Sequence, residues 1–389
     1  MSTGSNHMSC AVRMESMATF ATSPMSSLVD APVRYDLAAS TTPALRVGDL
    51  VDPDALADMT LGYGSSPGDA ELRALIGAEA GVDAGQVLLT VGAIEGMFLL
   101  AQDRLGPGDA VVLASPCFPP ARSIPEGLGA RVDVVAMRFG DGYRLPMDAV
   151  ADALTPKTRL VSVASPQNPS GVRLTEGELH GLLTAVEERA PEAVVLVDET
   201  YRQSTYGNAP VPASAAALSP RVVTCGSVSK AHGAPGLRLG WLTTTDADLY
   251  ERLRNAKHLT TIACSAPAEF LAVQLLRRSK EVLAPRAALL QRALTELQQW
   301  VRDQPVEFVR PDGGALCCLR LPRDRVPDAA VPDFYSRLAQ NDARVAPGSW
   351  FGDEDRVFRL GFGHLPPAEF TEALARLADA LLPDRGKSS

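Results

Sequence analysis

The strongest constraint on how this chain folds is an alternation. Between residues 85 and 245, short β-rich apolar runs recur at 87–91, 110–114, 132–135, 160–163, 193–197 and 222–225, and longer helical patterns fit between several of them. Such runs, with no polar alternation, predict buried strands. Strands that alternate with helices predict a mostly parallel sheet covered on both faces, because a parallel connection needs a long crossover. The expected class is α/β, a three-layer sandwich.

After about residue 246 the pattern changes. Helical stretches at 246–257, 266–278 and 281–303 precede strand candidates at 306–309, 315–320 and 357–360 and a last helix at 366–382. This reads as a second, smaller α+β domain at the C-terminal side. The expected division places 46–262 in a large domain and 9–45 with 263–389 in a small one, with the irregular segment around 38–50 lining a cleft between them. Residues 1–8 read as a tag remnant ahead of a second start, and 384–389 as a frayed polar end.

With 389 residues, 46% of them hydrophobic, the chain can build a large core. A net charge of −9 argues against a nucleic-acid surface or an anionic membrane, either of which wants clustered Lys and Arg, so small molecules are the expected partners. No apolar run approaches the roughly 20 residues of a membrane helix. The six cysteines, at 10, 117, 225, 264, 317 and 318, form no C-x-x-C and several lie in apolar runs, as reduced thiols of a cytoplasmic protein do. Adjacent Cys317 and Cys318 point to opposite faces of a strand, which argues against a shared metal; no metal site is expected.

Polar residues stand at or just past the ends of the apolar runs: Gly92, Ser115, Ser165, Asp198 and Ser227. Open α/β sheets bind ligands at the carboxyl ends of their strands, so these positions converge on one site. Just beyond the last run comes Ser227-Val228-Ser229-Lys230-Ala231-His232-Gly233-Ala234-Pro235-Gly236-Leu237-Arg238-Leu239-Gly240. A lysine attacks an aldehyde only as the free amine, which a desolvated or cationic setting favours, and Arg238 is a candidate for that cation. Ser227 and Ser229 add hydroxyls that bond an anion, and the glycines admit close backbone approach. The stretch suits a lysine that holds an aldehyde cofactor carrying a phosphate. The same residues fit the S-x-x-K signature of serine β-lactamases, but the K-T-G and S-D-N elements of that site occur nowhere in the chain.

Other residues extend the constellation. Gly92-Ala93-Ile94-Glu95-Gly96 follows a strand and opens a helix whose free N–H groups suit a phosphate, although a glycine turn is also an ordinary strand-to-helix connection. Gly62-Tyr63-Gly64-Ser65-Ser66-Pro67-Gly68 does not have dinucleotide-loop spacing. Asn168, in a turn after the fourth run, is a candidate donor to a ring oxygen. Asp198 follows five apolar residues, where a carboxylate is usually paired, and Tyr201 lies three residues on; a helix cap and a packed ring are the plain alternatives. Arg359, flanked by apolar residues, is either a surface arginine or a two-point grip for a carboxylate. His232 and His364 lie nearby in sequence without an assigned role.

Taken together, S-x-S-K-A-x-G-x-P-G-L-R-L-G, S-P-x-N-P-S-G and V-D-E-x-Y resemble the class I/II aminotransferases of the fold-type I pyridoxal-phosphate (PLP) enzymes, over roughly residues 63–362. The resemblance implies that Lys230 binds PLP covalently, that Arg238, Ser227 and the backbone of Ala93 and Ile94 hold its phosphate, and that Asp198 pairs with the pyridine nitrogen. It implies further that Tyr201 and Asn168 address the ring hydroxyl, that Phe118 stacks on the ring, and that Arg359 holds the substrate α-carboxylate. Tyr63 matches a tyrosine that reaches the neighbouring subunit's phosphate, which implies a homodimer with shared sites. The implied activity, in amino acid metabolism and biosynthesis, moves an amino group from an amino acid to a 2-oxo acid.

Two departures bear on the reaction. Ala121 stands where some relatives carry a histidine behind the cofactor aspartate. Leu37-Ala38-Ala39-Ser40-Thr41-Thr42-Pro43 lacks the usual glycine-bearing substrate loop and is similar to capreomycidine synthase-like members, which cyclise or eliminate. The alternative is therefore a PLP-dependent cyclase, lyase or oxidase. A regulator of the same fold would need a helix-turn-helix domain, for which the N-terminal segment is too short.

Overall fold

The computed structural model describes residues 19–381; the readings of 1–8, of 384–389 and of Cys10 lie outside them. Seven strands form the main sheet, in the order Val87–Thr90, Gly240–Thr244, Val222–Ser227, Val194–Asp198, Thr158–Ala164, Ala110–Ser115, Arg131–Ala136. Gly240–Thr244 runs antiparallel to both neighbours, and every other pairing is parallel.

Side chains alternate across the sheet and both faces are covered. Val112, Val161, Val195 and Val197 pack on one side against Val150, Leu182 and Val186. Val111, Leu160, Leu196 and Val223 pack on the other against Met97, Leu100, Ile124 and Leu253. That is the three-layer sandwich, and it explains why the central strands read as unbroken apolar runs. The 132–135 run departs from expectation: as the edge strand Arg131–Ala136 it is largely solvent-facing, with only Val135 buried.

Strand Gly240–Thr244 escapes pattern reading because it begins with Gly-Trp and contains no β-branched run before its two threonines. Its glycine is obligatory. A Cβ on Gly240 would lie 2.4 Å from Ala93 N and 2.5 Å from Gly92 C, so the strand carries Gly at the point where the Gly92–Arg104 helix begins.

A second, antiparallel sheet of Ala346–Pro347, Val357–Gly361, Leu316–Arg320 and Glu307–Val309 packs on helices Ser279–Arg302, Val331–Gln340 and Pro367–Leu381. Cys317 faces that core while Cys318 faces the main-sheet layer, as adjacent strand residues must. Helix Val331–Gln340 was not legible in advance: Pro332 interrupts its start, yet Val331, Phe334 and Leu338 bury one face. Tyr35–Asp36 pairs with Ala343–Arg344, which ties the segment before residue 46 to this second sheet's side of the molecule. No helix among the described residues is long and apolar enough to cross a membrane.

Candidate active site

Lys230 lies three residues beyond the Val222–Ser227 strand, on a turn closed against the irregular segment at 38–45. Thr42 Oγ1 donates to the carbonyls of Lys230 (2.9 Å) and Ala231 (3.2 Å), and Leu45 N–H donates to Gly233 O at 2.9 Å. Gly233, at φ +68°, leaves room for Pro43 O, which a Cβ would meet at 2.3 Å. Arg286 braces the segment from outside through Thr42 Oγ1 (3.2 Å) and Pro43 O (2.8 Å). The Lys230 amine donates to Ser40 Oγ at 3.4 Å, and Ser40 Oγ lies 2.8 Å from the Tyr201 hydroxyl.

One end of the cleft is built for an anion. The Gly92–Arg104 helix starts at Gly92, whose φ of +73° turns the chain so that Ala93 and Ile94 form the first turn with free N–H groups. Arg238 also adopts the left-handed region, at φ +51°, and its guanidinium takes the space over Gly92: a Cβ there would meet Nη2 at 2.6 Å. Gly240 pairs with Ser227 on one side and Thr90 on the other, which brings the Ser227 turn beside that helix. Ser227 Oγ accepts from Ser229 N at 3.3 Å, leaving the hydroxyl proton for a ligand.

Phe118, Asn168 and Asp198 line one small cavity at the carboxyl edge of the sheet, with Ala121 and Met97. Asp198 is the last residue of its strand, and its Oδ1 accepts from Thr200 N at 2.9 Å. A larger cavity, about 420 Å³, runs along the edge strand by Arg138 and Asp353; of the strand-end positions expected to converge it takes in only Ser115.

Arg359 occupies an interior strand of the small sheet, between Ala346–Pro347 and Leu316–Arg320, and is 1% exposed. The surface alternative is thereby removed. Nη1 donates to Asn168 Oδ1 (2.8 Å), Nη2 to Ala38 O (2.6 Å), and the guanidinium lies 4.7 Å from the Phe351 ring centroid. Its Nε is buried without a partner among the described residues. Burial holds this guanidinium below the ordinary arginine value, the expected penalty for a cation with no carboxylate of its own.

Tyr63 lies apart from all of these at 89% exposure. The loop bearing it is held from beneath: buried Lys257 donates to Ser66 O at 2.6 Å, and Glu269 Oε2 accepts from Asp69 N at 3.1 Å. His232 is fully buried, 3.3 Å from Ser279 Oγ, and burial pushes its imidazole down to about 4 with Arg286 assisting. It packs behind the lysine turn. His364 is exposed and meets Thr41 Oγ1 at 3.3 Å.

The geometry thus joins an amine, an anion cradle and a buried guanidinium at one sheet edge. Residues 45–377 match the family model described as aminotransferase class I and II. The chain belongs to that family. A capreomycidine synthase of Streptomyces vinaceus is 30% identical over 329 residues, covering 82% of this chain and 80% of that protein. An arginine–pyruvate transaminase of Pseudomonas aeruginosa is 30% identical over 322 residues, covering 77% of each. Among solved structures, the PLP-dependent cyclase OrfR superposes with a TM-score of 0.80 at 26% identity, covering 90% of this chain and 93% of that one.

The family's cofactor is pyridoxal 5′-phosphate, and the residues present suit it. The Gly92, Ser227 and Arg238 cradle matches a phosphate in charge and donors, and the lysine amine stands on the same turn. Sequence reasoning passed over Ser40, Thr42 and Arg286, because their relevance rests on contacts between segments about 190 and 240 residues apart. Only the departure of 37–43 from the family pattern hinted at them.

Proposed function

We propose that this enzyme moves an α-amino group from an amino acid to a 2-oxo acid. The observation that carries the reading is the pairing of a lysine amine with a buried, partly unpartnered guanidinium across one cleft, bridged by the backbone of Ala38 to Ser40. An amino acid offers an amine and a carboxylate at matching ends.

In this reading Lys230 would hold the cofactor covalently, and its Nζ would carry the proton that leaves and returns to the substrate's α-carbon. Pyridoxal phosphate supplies the electron sink that makes this proton acidic. Asp198 would keep the pyridine nitrogen protonated, Tyr201 and Asn168 would address the ring hydroxyl, and Phe118 would pack against the ring. Arg238, Ser227, Ser229 and the N–H groups of Ala93 and Ile94, admitted by Gly92, bind the phosphate. Arg359 grips the α-carboxylate with two parallel bonds, Asn168 orienting it. Tyr63 serves the site of a partner subunit, a role that suits its exposure two residues from the exposed Leu61, so the protein is a homodimer with shared sites. The large PLP-binding domain is 46–262, the small domain 9–45 with 263–389, and the compartment is the cytoplasm.

A second reading, a cyclase, lyase or oxidase on the same cofactor, is favoured by Ser40 in the substrate loop and by the likeness to capreomycidine synthase. Incubation with single amino acids, following the cofactor's visible band, separates the two. Transamination predicts a donor that bleaches the band and a 2-oxo acid that restores it; if no donor does so while product masses reveal ring closure or elimination, the first reading fails.

A further inference from the structure

We propose that Ser40 is a positioning residue for Lys230, and that its hydroxyl couples the proton on Lys230 to the proton on Tyr201. The inference rests on the reading above, in which both residues contact the cofactor.

Ser40 is buried, with its oxygen 3.4 Å from Lys230 Nζ and 2.8 Å from the Tyr201 oxygen. A hydroxyl has one proton to give and two lone pairs with which to accept. When Lys230 is an ammonium it only donates. Ser40 then accepts from Nζ and turns its own proton to Tyr201, whose phenolic proton is left for another acceptor. When Lys230 is a neutral amine it accepts as well, so Ser40 can donate to Nζ while Tyr201 donates to Ser40. One short chain therefore has two settings, one for each protonation state of the amine that carries the substrate's proton.

The backbone bearing Ser40 is held on both sides. Gly361 N–H donates to Leu37 O and Arg359 Nη2 to Ala38 O, each at 2.6 Å; beyond Ser40, Thr42 Oγ1 binds Lys230 O and Arg286 Nη2 binds Pro43 O. A Cβ on Gly361 would lie 1.8 Å from Ala39 O, so the strand and this segment are in direct backbone contact. Ser40 touches the Lys230 amine and stands two residues from Ala38, whose carbonyl the Arg359 guanidinium binds, so it adjoins the space where the α-carbon of an amino acid would lie if its two ends reached both groups. Its hydroxyl is placed to act on proton transfer at that carbon, with carboxylate binding left to Arg359.

The test compares the PLP-loaded wild type with Ser40→Ala, Ser40→Thr and Lys230→Ala. In Ser40→Ala the pH midpoint of the visible cofactor band should move by about half a unit, the size expected from losing one hydrogen bond. kcat should fall about tenfold with KM changed less than about threefold, and Ser40→Thr should recover both. In cofactor-free protein, an amine-reactive acylating reagent followed by peptide mass mapping should label Lys230 at a rate at least about twofold different in Ser40→Ala, because the oxygen that contacts its amine is gone. Should the alanine variant fail to fold, Ser40→Cys carries the same comparison. A titration curve and labelling rate that superimpose on wild type, in a protein whose colour is still lost in Lys230→Ala, overturn this inference alone. Persistence of the band in Lys230→Ala overturns the underlying reading and this inference with it.

Discussion

Arg359 offers the sharpest quantitative test, because its surroundings are fully specified. The side chain is buried, two of its three nitrogens are engaged by Asn168 and Ala38 O, and it has no carboxylate partner among the described residues. A substrate carboxylate would receive charge-assisted hydrogen bonds worth about 1.5–3 kcal/mol each. Arg359→Lys keeps a charge but loses the planar fork, so one bond of the pair goes and kcat/KM should fall about 10- to 100-fold. Arg359→Met removes both bonds, about 3–6 kcal/mol, and should cost about 10²- to 10⁴-fold. Two readings isolate the effect: the inhibition constant of a simple carboxylate without an amino group should rise in parallel, while PLP affinity stays within about twofold, because Arg359 grips the substrate and not the phosphate. If both variants bind such a carboxylate within threefold of wild type while remaining folded by circular dichroism, Arg359 is not the carboxylate grip.

Replacing Lys230 with Ala should abolish the visible absorbance of the bound cofactor and leave the far-ultraviolet dichroism unchanged; retained colour contradicts the assignment. Gly240→Ala forces a Cβ into the backbone of Gly92 and Ala93, at 2.4 to 2.5 Å. The expected cost is about 1–3 kcal/mol of stability, seen as a lower melting temperature, together with at least about tenfold weaker PLP binding by equilibrium dialysis. Equal affinity would show that the cradle tolerates that shift. His232 makes the pH prediction: its imidazole is depressed from the usual 6.5 to about 4, so between those values the unfolded chain binds a proton that the native one does not. Stability is therefore complete above pH 6.5 and falls as pH drops towards 4, by up to about 3 kcal/mol. Urea unfolding at pH 7 and pH 5 should show that part of the loss in wild type and not in His232→Asn.

Much of the architecture was readable because its causes are local. A strand buried on both faces must be apolar throughout, so 160–163, 193–197 and 222–225 announced themselves, and the polar residues that stop them mark the carboxyl edge. Where burial is one-sided or interrupted, the signal weakened: the edge strand at Arg131–Ala136 read as more buried than it is, and Gly240–Thr244 and Val331–Gln340 went unread. Glycine at 240 looks like a strand breaker until the Gly92–Arg104 helix is set against it.

The order of residues along the chain thus determined the class of fold, the strand ends, and the lysine, serine and arginine that share one turn, since each depends on neighbours close in sequence. Only the tertiary structure decided that Arg359 is buried against Asn168 and that Ser40 lies between Lys230 and Tyr201. Those contacts join segments 161 to 191 residues apart. Nothing in local propensity encodes them, because they exist only once two separately built sheets close on the irregular segment held between them.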